Sequence, residues 1–434
     1  MARSAEFWDK CLGVFDPGEV LVGQRSQDFY CEREYSPFNE LLNHFRPTSQ
    51  PTRPPRAFFT GHRGSGKSSL LLRLLERLTS EYFVVYFDID HNLDSHTANQ
   101  IDLLYLLGAT IYQVAHNEGV EIGSEFLNEL AKSVYTMTYE TKEIEKEALN
   151  VGELAKELVC FGASMLGSGV GRQLAAAALK PFTFTSGVSE EVAGKRQVEP
   201  QVQNIINNVN LIISEVQQKA QKNLLVVVDG LDKLQRIEQA DLIFLQSRAL
   251  LGPVCRIIYT VPMLVFTSLA FGQTEGDTKS YLLPNVKLFD RTSDTQTNPK
   301  GYAILREVVA KRMKSIGQTP DALFEPEALE LLIFKSGGVM RDFIGLAQDA
   351  MSAAKIRELD KVNTGAAQKA INDRASQLAF RLTETRVEEL RKVRENKRPS
   401  GSPESRELLH GLFIVAYRNQ TTWFDAHPLL WEEL

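Results

Sequence analysis

A three-layer α/β/α fold built on a parallel sheet is what this 434-residue chain predicts, and three observations carry it. Near-continuous apolar runs at 82–89, 224–229 and 256–261 read as strands covered on both faces. Between them lie stretches with helical spacing, such as Ile101, Leu104, Leu107, Ile111 and Val114. A glycine-broken loop joins a short apolar run, Ala57–Thr60, to a segment with Leu71, Leu74, Leu75 and Leu78 on one helical face. Strands and helices alternating in this way build a parallel sheet with helices on both sides.

The length predicts two or three domains. Apolar residues at 43% and charged residues at 24% are ordinary for a globular chain. A net charge of −6 gives no general attraction to nucleic acid, so any such contact needs a local basic patch. Cys11, Cys31, Cys160 and Cys255 are scattered and form no C-x-x-C pair. They predict a reducing, cytoplasmic setting and neither a disulfide framework nor a zinc site. Glu6 and Asp9 near the start, with no long apolar core, do not read as a signal peptide.

Taken in order, residues 1–34 give weak signals and read as a loosely structured lead-in. Ser36-Pro37-Phe38-Asn39-Glu40 reads as a helix start, with Ser36 as N-cap. Pro47, Pro51, Pro54 and Pro55 mark a stiff connector into the first strand. Then comes Gly61-His62-Arg63-Gly64-Ser65-Gly66-Lys67-Ser68-Ser69, the pattern G-x-x-x-x-G-K-[ST] between a strand and a helix. Its glycines let successive N–H groups converge on phosphate oxygens, and the helix N-terminus adds its positive end. Lys67 is placed to reach the β- and γ-phosphates, and the Ser68 hydroxyl to ligate a bridging magnesium ion.

Helices are predicted at 99–116, over 121–150 and at 198–218. Residues 158–179 hold a glycine-rich apolar stretch of about 14 residues followed by Arg172, short of the ~20 a spanning helix needs. It reads as a flexible or partner-binding insert, not a membrane hairpin. The run Leu224–Val228 ends in Asp229, placed to hold magnesium at the strand tip. Asp232, three residues on, is the nearest second carboxylate and is assigned to orient the attacking water. Thr260 reads either as a γ-phosphate sensor or as an ordinary strand threonine. Asn285–Phe289 reads as a fifth strand and 301–316 as an amphipathic helix bearing Arg312. The turn Ser336-Gly337-Gly338 ends one helix and Arg341 opens the next, either facing the phosphates or lying solvated.

After residue 359 come one or two helices ending in a basic stretch (Arg386, Arg391, Lys392, Arg394, Lys397, Arg398), a loop, a short helix at 404–410 and a hairpin over 413–424. Helices followed by a terminal hairpin are the order of a winged helix. It serves either DNA or protein docking, and Glu388, Glu389 and Glu395 dilute the basic patch.

On these motifs the chain resembles P-loop NTPases of the ASCE division, on the AAA+/STAND side. Gly61–Ser68 is similar to Walker A, Leu224–Asp232 to Walker B in its D-G-L-D form, Thr260 to sensor 1, and Gly337 to Arg341 to a sensor 2 turn. The resemblance implies an ATPase core at 35–295 with a helical insertion about 99–220, a helical lid at 296–358 and a winged-helix-like unit at 359–434. It implies ATP and Mg2+ as cofactors, and Lys67, Asp232, Thr260 and Arg341 as catalytic residues. It implies a slow ATPase switch in signalling or antiviral defence, through a protein partner and homo-oligomerisation. The alternative is a DNA-associated ATPase of the origin-recognition or transposition-regulator type. AAA+ rings carry an arginine finger between sensor 1 and the last core strand. From Pro262 to Phe289 this chain has no arginine, with Arg312 the substitute.

Overall fold

The computed structural model describes residues 3–46, 53–89, 99–139, 195–234, 236–274 and 278–434. Five strands form one parallel sheet: β1 (Arg56–Thr60), β2 (Phe83–Asp88), β3 (Leu224–Asp229), β4 (Arg256–Val261) and β5 (Lys279–Leu282), in the order β2-β3-β4-β1-β5. β4 therefore lies between the strand feeding the glycine loop and the strand ending in Asp229. The apolar runs are continuous because both faces are covered. Ala57, Phe59, Leu225, Val227 and Ile258 pack on one side, and Phe58, Val226, Val228, Ile257 and Tyr259 on the other.

Four helices precede or follow β1 in ways that matter to the site: α1 (Ala5–Val14), α2 (Gly23–Phe29), α3 (Phe38–Phe45) and α4 (Lys67–Leu78). Residues 1–34 differ from expectation. Helices α1 and α2 bury Trp8, Cys11 and Phe29, and Phe15 caps α1 in the interior, mostly in the same core as the lid. The fifth strand also differs, falling at 279–282 and not at 285–289. Pro284, which has no N–H to donate, follows Leu283 as the chain leaves the sheet. Asn285 then bonds to Ala416 near the C-terminus. The glycine-rich stretch 158–179 and the second half of the 121–150 helix lie outside the described residues. Among the described residues no helix is long and apolar enough to cross a membrane.

Helix α5 (Gln100–Asn117) opens with a capping box in which Asn99 caps the amides of Ile101 and Asp102 while Asp102 accepts from the Asn99 N–H. Burial lifts the Asp102 carboxyl to about 6, from an ordinary 3.8. Because the folded value lies above the unfolded one, its contribution is complete below about pH 4 and is lost as pH rises through 6. Ionisation at pH 8 then costs folding up to about 3 kcal/mol. Asp102→Asn, whose amide oxygen keeps the bond, should raise the denaturation midpoint at pH 8. That gain should vanish at pH 4, and equal midpoints at both pH values would contradict the burial.

The lid comprises helices Pro299–Ser315, Pro326–Lys335 and Met340–Ile356, and helix Thr364–Ala379 packs on them through Ala366, Ala367, Ala370 and Ile371. Helices Glu384–Asn396 and Pro403–His410 and the hairpin Ile414–Arg418/Thr422–Ala426 complete the winged-helix-like unit.

Candidate nucleotide site

The loop after β1 turns sharply enough for its lysine to fold back beneath it. Gly64 (φ +78°) has no room for a Cβ, which would strike the Arg341 side chain of the lid. The Lys67 ammonium, 5% exposed, donates to the carbonyls of Gly61 and His62, both at 2.8 Å. Its third partner is the Asp232 carboxylate at 2.8 Å. Burial pushes the Asp232 carboxyl up, but the Lys67 charge and hydrogen bond outweigh it and hold the group below the usual carboxylate range.

Ser68 at the start of α4 and Asp229 at the tip of β3 lie side by side, and the serine favours the charged carboxylate. Burial, then the charges of Asp232 and Asp88, raise the Asp229 carboxyl. A divalent cation between Ser68 and Asp229 would relieve that cost, so the donor pair fits magnesium. Sequence reasoning missed Tyr86, whose hydroxyl donates to Asp229 at 2.8 Å from the neighbouring strand. Only the register of Asp88 beside Asp229 would have suggested a residue of β2 here.

The remaining loop residues divide by direction. Arg63, Gly64, Gly66, Lys67, Ser68 and Ser69 line a cavity together with Asp232. His62 and Ser65 are buried behind it, and Gly61 sits against the Leu283 carbonyl, 2.6 Å from where a Cβ would stand. Arg63 bridges to the acid loop, donating to the carbonyls of Asp232 at 3.4 Å and Leu234 at 3.3 Å. Arg341 reaches the cavity from the lid. Its main-chain N–H bonds Gly64 O at 3.1 Å and its Nε donates to Pro17 O at 3.3 Å.

Thr260 sits against the acid turn. Its hydroxyl accepts from the Leu231 N–H at 3.1 Å and faces the Val228 carbonyl at 3.4 Å, so it holds the turn carrying Asp229 and Asp232. Thr260→Val removes the acceptor from a buried N–H and should cost about 1–3 kcal/mol. Urea denaturation checks this, and an unchanged midpoint would show that the bond contributes nothing.

The other end of the cavity comes from residues the sequence gave no reason to single out. Val20, Leu21, Phe29 and Tyr30 face Val308, Met340 and Ile344 of the lid, forming an apolar slot beside the glycine loop. Arg33 donates to Ser65 O, and to Pro284 O at 3.2 Å. Its partners are main-chain carbonyls, which leave no mark in a sequence. Arg312, 3% exposed, lies against the rings of Phe15 and Phe29 and lines the cavity of its own chain. So buried, it cannot serve a second copy as an arginine finger. Among the described residues its Nε and the Glu19 Oε2 are buried without hydrogen-bond partners, polar groups suited to a bound molecule.

No protein-family model matches the sequence, and no curated protein matches it. Solved structures do. The Aeropyrum pernix ORC1 protein in complex with DNA is 13% identical, with 96% of each chain covered and a TM-score of 0.39. The Aeropyrum pernix ORC2 protein, solved as ADPNP-ADP complexes, is 13% identical over 96% of this chain and 93% of that one, with a TM-score of 0.42. Drosophila ORC bound to DNA is 11% identical over 98% of this chain and 91% of that chain, with a TM-score of 0.37. At these identities and scores the likeness decides nothing about chemistry, which the residues above must carry.

Proposed function

We propose that the chain is a P-loop ATPase of AAA+ build that binds Mg-ATP in this cavity and hydrolyses it slowly, as a conformational switch. One observation carries the reading: the glycine loop with Ser68, Asp232 and the lid's Arg341 line a cavity whose far end is an apolar slot, with Asp229 buried beside Ser68. The triphosphate would lie on the loop amides and Lys67, with magnesium between Ser68 and Asp229. The purine would fill the slot formed by Val20, Leu21, Val308 and Ile344. Asp232, released by Lys67 as the lysine turns to phosphate, is assigned to orient the attacking water. Titration with a fluorescent ATP analogue and phosphate-release kinetics test this. Saturable magnesium-dependent binding with turnover below about 1 per second supports it. No binding at millimolar nucleotide would end it.

The output is proposed to be DNA-associated, on the strength of the three-helix-plus-hairpin order at the C-terminus. The basic side chains there are partly neutralised within the chain: Arg386 by Glu407 at 2.6 Å, Lys392 by Glu388 at 3.1 Å and Lys397 by Asp425 at 2.6 Å. Any DNA contact in this conformation is therefore weak, and its strength should depend on the nucleotide. A gel-shift titration with salt, with and without ATP, decides. A steep salt slope supports DNA as the partner, and no shift in either state returns the switch to a protein partner.

A further inference from the structure

The second residue of the glycine loop points away from the cavity. His62 is 2% exposed, and its Nε2 accepts the main-chain N–H of Ala416 at 2.8 Å, leaving the ring proton on Nδ1. Burial, then the Lys67 charge, pulls the ring down to about 3, so it stays neutral and free to accept. The Ala416 carbonyl in turn accepts from Asn285, through its main-chain N–H at 3.1 Å and its side-chain amide at 3.2 Å. These bonds leave the open edge of the terminal hairpin, whose other edge is paired within it.

The hairpin is no free wing. Ile414 and Ala416 pack into the sheet's core, whereas Val415 and Tyr417 pack into the lid's. It is a wedge between the two, and it also grips the lid. The Tyr417 hydroxyl donates to Gly337 O at 2.7 Å, and His427 lies 3.3 Å from Asp342, the residue beside Arg341. Burial pushes the Asp342 carboxyl up, but the nearby His427, Arg374 and Arg341 side chains hold it low.

His62 joins this wedge to the chemistry, because its own carbonyl accepts from Lys67. An ammonium has three donors, and Gly61, His62 and Asp232 occupy them. A triphosphate that draws Lys67 from Asp232 leaves the lysine held by the Gly61 and His62 carbonyls, with the His62 ring still hung from Ala416.

We propose that His62 is a positioning residue through which the terminal hairpin holds the glycine loop in its phosphate-binding shape, so that hairpin docking and nucleotide binding strengthen one another. This rests on the triphosphate reading above. Such coupling is reciprocal: nucleotide tightens the hairpin by the factor by which the hairpin tightens nucleotide.

Hydrogen exchange of the full-length chain with and without Mg-ATP tests it, beside titrations of two variants. Exchange of the 414–418 amides should slow about tenfold with nucleotide, about 1.4 kcal/mol. His62→Phe fills the space but accepts no bond, and it should raise the Kd for Mg-ATP about tenfold and remove the effect on exchange. His62→Gln offers Oε1 near the place of Nε2, and should recover most of both. Should His62→Phe fail to fold, wild-type exchange and the His62→Gln titration still decide. Nucleotide binding that leaves hairpin exchange unchanged, or wild-type affinity in folded His62→Phe, overturns the coupling alone. A wild-type chain that binds no nucleotide sinks the triphosphate reading and this inference with it.

Discussion

Lys67→Ala should lose nucleotide and stability together, and adding Asp232→Asn should return the stability alone. The two side chains are each 5% exposed and 2.8 Å apart. Removing the ammonium leaves a nearly buried carboxylate without its partner, and breaking such a pair costs about 3–5 kcal/mol. The largest influence holding the Asp232 carboxyl low is then gone, burial is opposed only by Lys233 and Arg63, and its affinity for a proton should rise. An asparagine carries no charge to strand, so the double variant should recover most of the thermal midpoint. It should still bind no nucleotide, because the phosphate-facing cation is missing. Thermal melts and analogue titrations of the three chains separate the effects. A single variant as stable as wild type would show that the pair is not buried, and a double variant that binds ATP would show that Lys67 is dispensable.

Asp232→Asn alone should bind Mg-ATP and turn it over about 10²- to 10⁴-fold more slowly, the usual contribution of a positioned acid or base. The amide oxygen can still face Lys67, so the loop keeps its shape while the proton acceptor is lost. Asp229→Asn should differ in kind. Its loss falls on the metal shared with Ser68, so the magnesium dependence of binding should weaken before the chemistry is examined. Single-turnover phosphate release, run with a magnesium titration, distinguishes them. Normal hydrolysis by Asp232→Asn would remove it from the mechanism.

The parts of this site that could be read from the sequence are those where one segment carries its own constraint. The loop from Gly61 to Ser68 needs glycines for its path, and β3 needs an unbroken apolar run because sheet and helices cover it on both faces. Asp229 and Asp232 follow from that strand's end, and Arg341 from the paired glycines before it. What escaped was made jointly by distant segments. Residues 17–33 wall the slot with a loop and a seven-residue helix, too short for a clear period. β5 is a four-residue edge strand that begins exposed, so it shows no alternation. Residues 285–289 alternate as a strand would, yet the N–H groups of Asn285 and Val286 serve the hairpin and the lid turn. Part of the neutralisation of the basic stretch was not legible, because Glu407 and Asp425 lie beyond the segment.

The reach from Ala416 to His62 spans 354 positions. A chain emerges from the ribosome N-terminus first, so the glycine loop is made long before the strand that backs it. Contacts of such separation also form slowly. Newly made chains thus hold the glycine loop without this support until the strand carrying Ala416 has emerged, 354 positions after His62.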